Sequence, residues 1–381
     1  MKVLNVVASL DAVEGGGTAE RTYQMSRCLA MHGIETSILT LELGLTPDRL
    51  RGLGEVEVTA LPCLLKRFYI PRFSPARIRE LVRQADIIHL MNHWTLINAI
   101  VYTYMRRLGK PYVVCPAGSL IPYGRSQLLK RIYDALIGRA ILRNASGHIA
   151  VIGSETPQFV PYGVSQEDVV VIPNGVFLDD VESTDPEAFR GRFGLGDEPL
   201  ILFLGRLNSI KGPDLLLEAF IRIATRFPEY HLLFAGPDNG MLPMLTRRTI
   251  EVDLESRVHY LGYVDAQTKY DCLRSADLVV IPSRHEAMSI VVLEAGMVAR
   301  PVLLTDQCGL DEIDSIGGGK VVAPTVEGLE QGLIELLSDP SNLGPMGETM
   351  KRYTLENYAW DAIGPKYIDL YSRILGSKQE P

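Results

Sequence analysis

Cysteine is scarce in this chain, and no two cysteines stand near one another. Cys28, Cys63, Cys115, Cys272 and Cys308 are scattered over 381 residues, odd in number and without a CxxC pair. That excludes a disulfide framework and a thiolate metal site, and it fits a reduced, cytoplasmic compartment. Long hydrophobic runs are also missing: none approaches the ~20 residues needed to span a bilayer. The opening MKVLNVVASL is apolar but short, lacks a cleavage-type end and runs into a glycine loop, so a first strand is expected there and not a secretory leader. There is no surplus of positive charge. The net charge is −8, and no nucleic-acid recognition motif occurs, so nucleic acid is not an expected partner. No GxGxxG follows a strand-like run, which argues against a dinucleotide oxidoreductase. Neither an Asp-x-Asp motif nor a His/Cys cluster occurs, and no metal site is expected.

What is present is an ordinary globular composition, 46% apolar and 22% charged, in a chain too long for one hydrophobic core. Short β-branched runs alternate with longer helical segments: VLNVVASL (3–10), IETSILTL (34–41), DIIHLM (86–91), YVVCPA (112–117) and GHIAVI (147–152). The pattern resumes with LILFLG (200–205), HLLFAG (231–236), VHYLGY (258–263), LVVIPS (278–283), PVLLTD (301–306) and KVVAP (320–324). Strands that are continuously apolar belong in parallel sheets covered on both faces, and their alternation with helices predicts right-handed βαβ units. The fold class is therefore α/β, two doubly wound Rossmann-like domains facing across a cleft. A loop-rich link at 173–199 separates them, with the first domain over 1–180 and the second over 190–357. Ligands are expected at the C-terminal ends of the strands.

Several polar residues fall at those strand ends. Between Ile290 and Ala299 the chain reads IVVLEAGMVA, with Glu294 its single ionisable side chain. Two readings stand: a helix whose Glu294 faces solvent, or a buried carboxylate satisfied by ligand hydroxyls. Glu286 lies in the preceding loop. Arg206 and Lys211 flank the turn after LILFLG and could clamp a diphosphate, although surface cations are common. Ser289 is placed to cap the helix carrying Glu294, leaving the amides of Ile290 and Val291 near an anion. Gly15, Gly16 and Gly17 follow the first strand, where they would permit close backbone approach or simply make a turn. Phosphates between two cations and a helix end, with a carboxylate beyond on either side, describe a nucleotide-sugar.

The series GRLNSIKG, FAGPDNG, VHYLGYV, SADLVVIPSRHEAMSIVVLEA and PVLLTDQCGLDEI, with IPNGV at 172–176, the glycine loop and Ser154-Glu155, closely resembles retaining glycosyltransferases of family 4, the two-Rossmann-domain (GT-B) type. The resemblance covers nearly the whole chain, most strongly 200–313. It implies that Arg206 and Lys211 hold the donor diphosphate, that Glu286 contacts the transferred sugar and that Glu294 binds the ribose. It places the base near Tyr263 and Val264 and lines the donor site with Gly16, Gly17, Gly205, Ser289 and Ile290. It further implies that residues 358–381 cross back to the first domain. Transfer would be metal-independent with front-face attack, from a UDP- or GDP-sugar to a glycan or lipid-linked acceptor, in surface-polysaccharide or glycolipid synthesis. No cofactor is implied, because the nucleotide-sugar is a co-substrate.

Two positions depart from the family. Ala117, before Gly118, replaces a histidine associated with the acceptor side, and His93 is the nearest candidate to take its place. Arg300 replaces a glycine and reads as a surface exchange. The departure at Ala117 keeps open the alternative of a catalytically silent or non-enzymatic two-lobed protein that binds a nucleotide-sugar or a sugar. Charge is uneven: residues 1–180 carry 19 Lys and Arg against 16 Asp and Glu, a net of +3, and the remainder carries −11. The segment 66–83, KRFYIPRFSPARIRELVR, has six basic residues against Glu80 alone. It reads either as a solvated helix face or as a peripheral contact with an anionic membrane.

Overall fold

The β-branched runs become the strands of two parallel sheets in the computed structural model, which describes every residue except Ala12, Glu14, 122–125, 179–183 and 378–381. Part of the expected link and the last four residues therefore lie outside the described residues. Two compact units form, one from Met1–Gly175 with Trp360–Pro381, the other from Val176–Ala359. Among the described residues no helix is long and apolar enough to cross a membrane.

The first unit contains β1 (Lys2–Val6), β2 (Glu35–Leu41), β3 (Glu57–Leu61), β4 (Cys63–Leu65), β5 (Ile70–Pro71), β6 (Ile87–Met91), β7 (Tyr112–Cys115), β8 (Gly147–Ala150) and β9 (Val169–Val171). Its seven-stranded sheet runs β3-β2-β1-β6-β7-β8-β9, and β4 and β5 form a separate antiparallel hairpin. The second unit contains β10 (Leu200–Leu204), β11 (His231–Ala235), β12 (Val258–Gly262), β13 (Leu278–Ile281), β14 (Val302–Thr305) and β15 (Gly319–Val322), in the order β12-β11-β10-β13-β14-β15. All pairs within the seven-stranded and the six-stranded sheet are parallel. Each sheet thus reverses its winding once, between β1 and β6 and between β10 and β13, which is where such sheets open a crevice for ligands. Strands β3 and β9 were not marked in the sequence. Both are edge strands: β3, EVTAL, mixes polar and apolar residues, and β9, though wholly apolar as VVV, is only three residues long.

The C-terminal helix Trp360–Gly376 belongs to the first unit because of one buried cation. Arg21, 1% exposed, donates to Asn174 Oδ1 (2.7 Å), the Ile172 carbonyl (2.7 Å) and Tyr367 Oη (2.5 Å). Tyr371 beside it bonds His89 Nδ1 at 2.7 Å, and burial, with Arg21 nearby, pushes the His89 imidazole down to about 3. Trp360 packs on Gly175, where an added Cβ would lie 2.8 Å from the indole. Tyr367→Phe removes one of the three acceptors of a buried guanidinium. We expect a loss of about 1.5–3 kcal/mol, read as a lowered urea midpoint at unchanged slope.

Candidate functional site

The second unit's crevice is built by backbone fit before any charge is placed. Gly205 ends β10 with φ +154° and Gly236 ends β11 with φ +140°. A Cβ on Gly236 would collide with the Gly205 carbonyl oxygen, so the two turns abut. Gly212 (φ +70°) similarly presses on the Pro282 carbonyl beyond β13. That approach carries Lys211 across to the neighbouring loop, where its Nζ pairs with Glu286 Oε2 at 2.7 Å. The Lys211 amide donates to Asn208 Oδ1 (3.0 Å). Arg284 straps the same loop, bonding both carboxylate oxygens of Asp214 (2.9 and 2.6 Å) and the Ser209 carbonyl (2.6 Å).

The loop after β14 fixes the other side. The Glu286 amide donates to the Gln307 carbonyl (2.9 Å) and the Ser289 amide to the Cys308 carbonyl (3.0 Å). Ser283 Oγ donates to Glu286 Oε1, and Thr305 Oγ1 donates to the Ser283 carbonyl at 2.5 Å. Burial, helped by the Glu286 charge, pushes the Cys308 thiol up to about 12, so this buried sulfur stays protonated and is not a nucleophile.

Ser289 occupies the N-cap position of the helix Ile290–Met297, as its place in the sequence suggested, but its hydroxyl makes no capping bond. Instead Ser289 Oγ is buried without a hydrogen-bond partner in the protein. It is one of ten such buried side-chain atoms among the described residues, and it stands at a helix N-terminus, where N–H groups favour an anion. Arg206 follows β10 at the same sheet edge, Ile290 opens the helix, and Tyr263, 54% exposed, and Val264 follow β12.

Of the two readings the sequence leaves open for Glu294, the buried one holds, but the carboxylate does not lie alone: its side chain is 8% exposed and Oε1 pairs with Lys269 Nζ at 2.5 Å. Lys269 sits on the helix Ala266–Ser275, 25 residues upstream, and no local pattern ties it to Glu294. Arg300 is also not a surface exchange. It is half-buried, and its Nη2 donates to the Arg274 carbonyl at 2.5 Å.

In the first unit, Gly16 (φ +63°) and Gly17 begin the helix Gly16–Met31. Thr18 Oγ1 reaches Asn92 Oδ1 at 3.5 Å, linking the turns after β1 and β6 on either side of that unit's crevice. Ala117 (φ +49°) and Gly118 (φ +80°) both take left-handed backbone after β7, which costs a residue with a Cβ about 1–2 kcal/mol. Glu155 anchors the turn: its buried carboxylate accepts from the Val151 amide at 2.6 Å and from the Gly118 amide. This explains Ser154-Glu155 as a positioning feature.

His93 is not itself presented to a ligand. It is 2% exposed, faced by the rings of Trp94, Tyr133 and Tyr162, and its Nε2 lies 2.7 Å from Asp134 Oδ1. Asp134 stands in front of it, in a π-helical turn (Asp134–Gly138), and also accepts from Trp94 Nε1 (3.0 Å) and Tyr162 Oη (3.0 Å). Burial pushes the Asp134 carboxyl up, but the bonds from His93, Tyr162 and Trp94 outweigh it and hold it below the usual value. With Arg139, Gln158 and Tyr162 it lines a cavity of about 300 Å³. Asp134 was missed because it is an isolated acid in a helix of leucines and basic residues.

Residues 185–356 match the family described as Glycosyl transferases group 1, and residues 16–175 the Glycosyl transferase 4-like domain. The chain is 30% identical over 405 residues to the D-inositol 3-phosphate glycosyltransferase of Gordonia bronchialis, covering 96% of this chain and 85% of that one. It is also 30% identical over 217 residues to an uncharacterized glycosyltransferase of Methanocaldococcus jannaschii, a match that spans about half of each chain, 55%. Among solved structures, Anabaena HepE in complex with UDP and glucose superposes with a TM-score of 0.81 over 98% of this chain and 100% of that one, at 18% identity. That likeness shows a shared GT-B fold. The match to the Gordonia bronchialis enzyme over 96% of this chain and 85% of that one, with one family matched in each unit, places this chain among the group 1 and 4-like glycosyltransferases.

Proposed function

We propose that the protein transfers a sugar from a UDP- or GDP-sugar to a hydroxyl of a glycan or lipid-linked acceptor, with retention of configuration and without a metal ion. The observation that carries this is the buried, unpartnered hydroxyl of Ser289 at a helix N-terminus, in the crevice that also holds Lys211 and Glu286. In this reading the diphosphate takes the Ser289 hydroxyl and the helix-end amides, with Arg206 and Lys211 beside it. Glu286, drawn to Lys211 when no donor is bound, turns to the hydroxyls of the transferred sugar. Glu294 receives the ribose, and the base lies along Tyr263 and Val264. In the first unit, Gly16 and Gly17, with Ala117 and Gly118, shape that unit's own crevice, and His93 acts there by holding Asp134. HepE, solved with UDP and glucose, supports a uridine donor by analogy of fold only.

The chemistry follows from the leaving group. The anomeric C–O bond to the β-phosphate breaks, and a new C–O bond forms on the same face with the acceptor oxygen. The acceptor's proton passes to the departing phosphate oxygen. Negative charge grows on the diphosphate as this happens, and fixed donors stabilise it most in the transition state.

A thermal-shift panel of nucleotide-sugars tests the reading. A donor at 100 times its Kd adds about 2.7 kcal/mol of stability, so one or two donors are expected to raise the midpoint by several degrees and to be slowly hydrolysed. A shift with neither hydrolysis nor transfer would return the protein to the silent alternative, and no shift with any donor would overturn nucleotide-sugar binding. Product of inverted anomeric configuration by NMR would overturn retention alone.

A further inference from the structure

Exposed apolar side chains are unevenly spread over the molecule. Of nineteen large ones among the described residues, ten fall between positions 64 and 136, all in the first unit. The densest set lies on one helix. Leu128 (71% exposed), Leu129, Ile132 and Leu136 (79% exposed) recur at three- and four-residue spacing along Gln127–Tyr133 and the π turn that continues it. The opposite side of this helix is fully engaged. Tyr133 and Ile137 pack on the apolar core, Asp134 bonds His93, Trp94 and Tyr162, and Tyr133 Oη bonds the Thr95 carbonyl at 3.1 Å. The outward stripe is therefore not a fold requirement.

A second exposed group belongs to the β4–β5 hairpin, where Leu64, Leu65, Phe68 and Phe73 face out while Cys63 and Tyr69 pack inward on that same core. Leu96, 41% exposed, opens the helix Leu96–Leu108, which packs beside β5 and whose N-cap neighbour is Tyr133. Charge in these segments has one sign. Lys66, Arg67, Arg72, Arg131 and Arg139 are exposed there. Among the described residues of 62–74 and 126–139, Asp134 is the one carboxylate, and it is turned inward.

We propose that this face docks on an anionic lipid bilayer, with the Leu128–Leu136 stripe entering the headgroup–acyl boundary and the hairpin's basic residues meeting the headgroups. Such an arrangement, apolar stripe with basic flanks in the interface plane, is how amphipathic helices bind membranes. A second copy of this chain fits worse, because a two-fold contact would set one cationic face against an identical one that offers no outward carboxylate in these segments. The inference rests on the membrane-proximal acceptor of the proposed function and shifts the principal contact from residues 66–83 to the helix at 127–138.

The test is flotation of the full chain with vesicles of phosphatidylcholine alone and with 30 mol% phosphatidylglycerol, roughly the anionic fraction at which surface potential attracts polybasic segments. Wild type is expected to float with the anionic vesicles and not with the neutral ones. Leu128→Ser/Leu136→Ser is expected to lower that partitioning at least about tenfold. Lys66→Gln/Arg67→Gln is expected to lower it by a smaller factor. Equal flotation of wild type and the Leu128/Leu136 variant would overturn the proposal. So would a wild-type dimer, lost in that variant, with no vesicle binding. Donor hydrolysis in solution is measured in parallel. Its absence in wild type would sink the catalytic reading while leaving vesicle binding to stand or fall by itself.

Discussion

Lys211→Ala is expected to lower sugar transfer by about a hundred- to a thousandfold, the usual cost of removing one donor from a developing oxyanion, while the far-UV spectrum stays unchanged. Lys211 is 23% exposed and held 2.7 Å from Glu286. Two roles are therefore conceivable for it, holding the leaving group or merely neutralising Glu286. Nucleotide affinity separates them. If Lys211 only balances the Glu286 charge, Lys211→Ala should lower the thermal midpoint and leave the affinity for free nucleoside diphosphate unchanged. If Lys211 holds the diphosphate, that affinity falls as well, and the loss of transfer appears in kcat more than in KM. Turnover of Lys211→Ala near the wild-type value would remove the lysine from the mechanism.

Glu294→Ala is expected to weaken nucleotide binding by roughly tenfold to a hundredfold, the equivalent of losing one or two charge-assisted hydrogen bonds. The ion pair with Lys269 makes this result diagnostic. A carboxylate buried solely to pair with Lys269 would give Glu294→Ala a lower thermal midpoint and an unchanged Kd by calorimetry. A carboxylate that receives the ribose gives both losses. Lys269→Met completes the comparison. It leaves Glu294 buried without its cation, which destabilises the free protein, yet keeps the acceptor oxygens, so nucleotide should restore much of the lost stability. Equal Kd values for wild type and Glu294→Ala would assign the residue to packing.

The fold was legible because its central strands are continuous β-branched runs, and such runs have few alternatives in a chain of this length. The strands without such a run are β3, EVTAL, which mixes polar and apolar residues, and β4, β5 and β9, each of only two or three residues. At the candidate site, the glycines and lone charges near strand ends stand where the second sheet reverses its winding: Gly205, Arg206, Lys211 and Gly212 after β10, and Glu286 and Glu294 after β13. Sequence could not show pairing between distant elements. Nothing near Glu294 announces Lys269, and nothing near His93 announces Asp134, because each partner lies on a helix with its own local periodicity. Those pairings are made by the packing of one βα unit against the next. They turned a seemingly unpaired carboxylate into half of an ion pair, and a candidate replacement histidine into the support of an aspartate.

The bonds from Arg21 to Asn174 and Tyr367 bear on how the protein comes into being at the ribosome. The first unit is the first to be synthesised and the last to be completed, since the helix that satisfies its buried cation begins at Trp360. At about 5–20 residues per second, roughly 10–40 s separate the two events. During that interval the second unit, uninterrupted from Val176 to Ala359, can fold to completion. The nascent first unit meanwhile carries Arg21 without its tyrosine, so the chain's most aggregation-prone moment falls before its final seventeen-residue helix emerges.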